Sequence, residues 1–154
     1  MKYAVAAALM LTTLSANAAG TWSTLLNYDH IFSQPSTATS NTASIISGSM
    51  EYAFPRSLAF YGGASFVLQD SFESTLNIGA RFYSADPILN MGNIPVWSFI
   101  GLGNYFVDDN AYYPEIGLRI GVNQLSRVDV SLKVLNSSNT AYDNHAAVGI
   151  GFAF

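Results

Sequence analysis

Apolar side chains recur at every second position through most of this chain, and that rhythm limits what it can fold into. Leu76, Ile78, Ala80 and Phe82 alternate in this way, as do Ile116, Leu118, Ile120 and Val122, and then Val128, Val130, Leu132 and Val134. The odd-numbered residues between them are polar, charged or small. Successive side chains of a strand point to opposite faces, so a period of two describes a sheet with one oily and one polar face. The same even-numbered rule holds earlier (Trp22, Leu26, Tyr28, Phe32; Ile46, Met50, Tyr52, Phe54; Phe60, Ala64, Phe66, Leu68) and at the end (Val148, Ile150, Phe152, Phe154). One segment departs from it, because Trp97, Phe99 and Tyr105 put large rings on odd positions.

Turn residues divide the chain into about eight segments of roughly 9–13 residues, the length of a tilted strand crossing a bilayer. They are expected at 21–32, 44–54, 58–69, 72–83, 96–106, 112–122, 127–135 and 142–154. A Ser/Thr/Asn stretch over 33–42 separates the first two. Pro55-Arg56-Ser57 and Asp108-Asp109-Asn110 read as tight turns, 85–94 as a longer Pro/Gly/Asn connection and 136–140 as an Asn/Ser loop.

The first residues read differently. Lys2 is followed by an apolar run over 3–14 and then by Ala16-Asn17-Ala18, the pattern of an export signal and its cleavage site. The run falls short of the roughly 18–20 apolar residues that a spanning helix needs. We therefore expect a signal peptide over 1–18 and one domain over 19–154, about 135 residues. There is no cysteine, so no disulfide framework and no thiolate chemistry. The formal net charge is −4 with no basic patch, which argues against a nucleic-acid partner. Half of the residues are hydrophobic and only 10% are charged, few for a soluble exported domain.

A soluble barrel would also alternate, with its apolar face inward. Two features point to the opposite sense. Aromatic residues gather toward the segment ends (Trp22, Phe32, Tyr52, Phe54, Phe82, Phe106, Tyr112, Tyr142, Phe152, Phe154), while aliphatic residues and Ala fill the middles. The polar face is rich in Gly and Ser, which suit a cramped interior better than a solvated exterior. With the export pattern, the strand count and the terminal alternation Val148, Ile150, Phe152, Phe154, the chain resembles the small eight-stranded outer-membrane barrels of the OmpA and OmpX type. The resemblance implies an all-β fold, an eight-stranded antiparallel up-and-down transmembrane β-barrel, with both termini in the periplasm. It also implies that those four terminal residues act as an assembly signal for the barrel-assembly machinery. Outer-membrane lipid and lipopolysaccharide are the other partners expected.

If even residues face outward, the charges Asp29, Glu51, Glu73, Arg81, Glu115, Arg119, Asp129, Lys133 and Asp143 face inward. Antiparallel partners have a constant sum of residue numbers, and facing requires that sum to be even. A turn closed between Val122 and Ser126 then sets Arg119 opposite Asp129 and Glu115 opposite Lys133. Two ion pairs of opposite sense are expected from one register, with Arg81 and Glu51 joining a lower layer of the same network.

The leading functional expectation is a barrel with a largely plugged lumen and a structural or interaction role in the cell envelope, with no catalytic residues, metal or cofactor. A narrow ion or small-solute channel is one alternative. A lipid A-modifying enzyme is another, and would need a His beside a hydroxyl and a carboxylate. His145, expected to face inward with Asp143 two positions away and Ser131 across the sheet, could be assembled into such a trio, whereas His30 is expected to face out. Asp70, Asp108 and Asp109 read first as solvated turn acids.

Overall fold

The computed structural model describes residues 20–154 apart from 37–43, 56, 69–71, 108 and 124. The expected signal peptide, most of the 33–42 loop, Arg56, Asp70 and Asp108 lie outside the described residues. Among the described residues there are nine strands: β1 (Thr21–Ser33), β2 (Ser44–Ala53), β3 (Leu58–Leu68), β4 (Phe72–Tyr83), β5 (Leu89–Met91), β6 (Ile94–Tyr105), β7 (Ala111–Gly121), β8 (Arg127–Leu135) and β9 (His145–Ala153). All pairings are antiparallel. Each wall strand bonds to its neighbours in sequence, while β1 pairs with β9 and β4 with β6. The result is a closed eight-stranded up-and-down barrel, with β5 as an extension outside the ring. Closure leaves the wall strands without an unpaired sheet edge.

The register shows how strongly the strands tilt. Starting at Thr21, the hydrogen-bonded neighbours are Ala53, Ala59, Arg81, Gly101, Glu115, Lys133 and Ala147, and the last of these pairs with Ile31. One circuit therefore re-enters β1 ten positions beyond its start. A stagger of that size on eight strands corresponds to a tilt of about 40°, within the range of closed barrels. A bulge between Ile31 and Ser33 adjusts the β1–β9 seam near its upper end. Here "upper" means the end away from Thr21 and Phe154.

Two connections differ from expectation. The 85–94 segment contains a hairpin, in which Leu89–Met91 pairs with β6 as far as Ile94 and Gly92 takes a φ of 65°. The Gly-Asn pair supplies the positive φ that such a tight reversal needs. The last strand begins at His145 rather than at 142. The amides of Tyr142 and Asp143 both donate to the Asn139 carbonyl, and Asn144 adopts a φ of 56°, so the chain is still turning there.

Facing follows the even and odd rule along the wall strands, apart from the buried Val96, which pairs with β5, and the buried Ser44 at the start of β2. Leu26, Phe60, Ile78, Ile116, Leu132 and Ile150 are each 49–58% exposed, whereas Leu25, Asp29, Glu51, Arg81 and Asp129 are at most 2% exposed. Beyond Val96, the strand expected to break the rule keeps it. In β6, Ile100 and Leu102 face out, and Phe99 and Tyr105 are buried inside. Their rings are interior fill, and no change of register accompanies them. Ile31, Ile45, Val67, Tyr105, Val107 and Leu135 belong to one apolar cluster in the upper interior. On the outer wall, Trp22, Tyr52, Phe54 and Phe60 form a chain of ring contacts at 4.7–5.8 Å near the lower end, and Phe66 stacks on Phe72 at 5.3 Å near the upper end.

A buried charge network as the candidate functional site

The β7–β8 pair sets Arg119 opposite Asp129 and Glu115 opposite Lys133. The turn closes through the Val122 amide donating to the Ser126 carbonyl at 3.0 Å. Arg119 meets Asp129 fork to fork, with Nε donating to Oδ1 and Nη2 to Oδ2, both at 2.7 Å. Its remaining nitrogen, Nη1, donates to Glu51 Oε1 at 2.6 Å. Parallel bidentate bonds of this kind match guanidinium to carboxylate geometry and are among the stronger charge-assisted contacts.

Glu115 and Lys133 are neighbours in register but bond elsewhere. Glu115 accepts two bonds from Arg81 on β4, Nε to Oε1 at 2.7 Å and Nη2 to Oε2 at 3.1 Å. Lys133 Nζ donates to Asp29 Oδ2 on β1 at 2.7 Å. The expected cross-strand ion pair is thus replaced by two pairs that span the interior. Arg81 offers a planar fork to Glu115, while Lys133 reaches Asp29 with its ammonium 5.0 Å from the Tyr113 ring centre. Arg81 also bonds Asp129 at 3.0 Å and lies 3.9 Å from Glu51. Arg81, Arg119, Glu51, Glu115 and Asp129 therefore form one continuous network from four strands.

Tyrosines complete it. Tyr83 donates to Glu51 at 2.7 Å, Tyr61 to Glu115 at 3.2 Å and Tyr105 to Asp29 at 3.1 Å. Arg81 also lies over the Phe99 ring at 4.6 Å, and Arg119 over Tyr83 at 4.5 Å. Charges taken out of water are costly unless they are paired and their remaining hydrogen-bonding positions are filled, and these aromatic residues do both jobs from inside the ring.

Tyr61 and Tyr83 were not among the residues singled out from the sequence, and Phe99 and Tyr105 stood out there only as exceptions to the alternation. A signal for them existed. Tyr61 lies directly opposite Gly79, Phe99 opposite Gly117, Tyr113 opposite Gly103 and Glu115 opposite Gly101. A large inward side chain is set against an inward glycine, and a methyl group on that glycine would collide with it. The small residues on the inner face are therefore the spaces that larger ones occupy.

The possible catalytic trio does not assemble. His145 lies opposite Leu135 and Ser131 opposite Gly149, four residues apart along the strands, or about 13 Å. The His145 ring contacts the Asp143 backbone carbonyl through Nδ1 at 2.8 Å, and its Nε2 has no hydrogen-bond partner among the described residues. The Asp143 carboxylate instead accepts from the Ser137 amide and the Asn144 side chain. His30 is exposed on the outer face, and so is Asp109 in its turn. No three His, Asp or Glu residues among those described converge as a metal site. Of the terminal residues, Phe154, Phe152 and Ile150 face outward and Val148 is half-buried beside them.

No protein-family model, curated protein or solved structure matches this chain.

Proposed function

We propose that this chain is an integral outer-membrane β-barrel with a largely plugged lumen and a structural or interaction role in the bacterial cell envelope. One observation carries the reading. The outer wall is mostly apolar and exposed, with Leu76, Ile100, Leu102 and Ile116 each between 58% and 68% accessible, while Asp29, Glu51, Arg81, Glu115, Arg119, Asp129 and Lys133 are turned inside. In water this arrangement would expose most of the oily surface and bury most of the charge, the reverse of what burial energetics favours. In a bilayer the oily wall no longer meets water, inward facing keeps the charges out of hydrocarbon, and a closed barrel satisfies every wall hydrogen bond. The aromatic rows at the two ends suit the two interfaces.

The lumen reading is supported by Arg81, Tyr61, Phe99, Tyr105 and Tyr113, which are all buried and reach across a ring of only eight strands. Lipid and lipopolysaccharide are the surrounding partners in this reading, and the alternating residues Val148 to Phe154 are what the barrel-assembly machinery would read. The His145, Asp143 and Ser131 set that catalysis on lipid A would use is not brought together among the described residues.

The test is electrophoresis of the membrane fraction with and without boiling. A folded barrel resists detergent and migrates differently until heated, and that shift is expected here. A chain that stays in the soluble fraction, or migrates identically in both states, would overturn the proposal.

A further inference from the structure

On the outer wall a large polar side chain stands among mostly apolar neighbours. Asn104 occupies an outward position on β6, between Ile78 on β4 and Tyr112 on β7. It is half-buried, and its carboxamide has no hydrogen-bond partner among the described residues. Below it runs a groove of about 500 Å³ on the outside of the barrel. Phe60, Ile78 and Leu102 form its walls, all at least half exposed, and Ala80 with the backbone of Gly79 and Gly103 forms its floor. A second hollow shares Phe60 and Ile78 and continues toward Met50 and Trp22.

We infer that this groove holds the acyl chain of a membrane lipid that bears a hydroxyl near its head, with Asn104 bonding that hydroxyl. The inference rests on the outer-membrane reading above. A carboxamide both donates and accepts, and a hydroxyl can answer both, whereas a bare ester carbonyl answers only the donors. An unpaired amide in hydrocarbon is costly, so the site favours a chain with a polar group at that depth. Asn104 lies just inside the upper rim residue Phe106, which matches a substituent a few carbons below a headgroup. The shape argues against a second barrel as occupant. Two convex walls meet along a line, and the ridges of Ile78 and Leu102 would hold them apart over the hollow, while a flexible chain fills it. Hydroxyacyl chains are carried by the lipid A part of lipopolysaccharide, which makes purified lipid A the probe.

The full barrel is folded into phosphatidylcholine vesicles containing lipid A, extracted into mild detergent and weighed intact by native mass spectrometry. Folding is checked on the same samples by the boiled and unboiled gel. The expected result is one retained lipid A per wild-type barrel. Asn104→Leu should lower retention about three- to tenfold, and Asn104→Gln should largely preserve it. A lipid A analogue with unhydroxylated chains should be retained as weakly by wild type as lipid A is by Asn104→Leu. A folded barrel that holds both lipids equally, that is indifferent to Asn104→Leu, or that leaves the vesicles as a dimer without lipid would overturn the inference and leave the membrane reading standing. Failure to give a heat-shifted band in any vesicle would remove both.

Discussion

The phenyl ring of Phe99 occupies the space that a side chain on Gly117 would need. The two residues are direct partners across β6 and β7, and a Cβ on Gly117 would lie 2.8 Å from Cε1 of the ring and 2.5 Å from the Val130 carbonyl oxygen. Gly117→Ala should therefore destabilise the barrel by about 1–3 kcal/mol through overpacking. Adding Phe99→Leu should recover part of the loss. Urea unfolding midpoints of the folded protein measure both, and an unchanged midpoint for Gly117→Ala would refute the packing argument.

Arg119 and Arg81 share Asp129 but differ in what they leave behind. Arg119→Met removes every arginine bond shorter than 3.9 Å from Glu51, which keeps its Tyr83 bond. The expected cost is about 3–5 kcal/mol, the penalty for stranding a buried charge. The double variant Arg119→Met with Glu51→Gln should lose less than the sum of its single variants, since the stranded charge goes too. Additive losses in equilibrium unfolding would mean that the two residues do not interact energetically.

Substitution at the wall tests what surrounds it. Ile116 stands at the centre of β7 and faces outward at 58% exposure. In a bilayer, Ile116→Arg should cost about 2–4 kcal/mol, against about 0–1 kcal/mol for Val122→Arg at the rim. On a water-soluble barrel both changes would fall within about 0.5 kcal/mol of neutral. Unfolding titrations from lipid vesicles read the difference, and equal, negligible costs at the two positions would exclude a hydrocarbon environment.

Conductance tests the interior. If the lumen is plugged as proposed, wild type in planar bilayers should show no discrete current steps. Tyr61→Ala combined with Phe99→Ala removes two interior rings and should raise solute leakage through vesicles. Well-resolved channel steps from wild type would favour the narrow-pore alternative.

Much of this was legible from local rules. The period of two separates inward from outward residues along a strand without reference to any other strand. The tight turn after Val122 sets the β7–β8 register and with it the Arg119–Asp129 alignment. What local rules could not supply is the pairing across seams with no short turn. β1 meets β9 with the rest of the chain between them, and β4 meets β6 past an unforeseen hairpin. The contacts from Lys133 to Asp29 and from Arg81 to Glu115 depend on those seams and on side chains long enough to cross the interior. Aromatic residues at odd positions in β6 looked like a broken pattern only because an interior was assumed to be lined by small groups.

The ionic partners come from β1, β2, β4, β7 and β8, and this ties neutralisation to completion of the cylinder. An isolated β7–β8 hairpin could satisfy Arg119 with Asp129 and set Glu115 against Lys133, yet Glu51, Arg81 and Asp29 on the remaining strands would still lack their mates. In a bilayer, partially assembled sheets would thus carry homeless ions toward hydrocarbon, and only the last seam would relieve them. Insertion should accordingly be all-or-none, with half-formed intermediates too costly to accumulate.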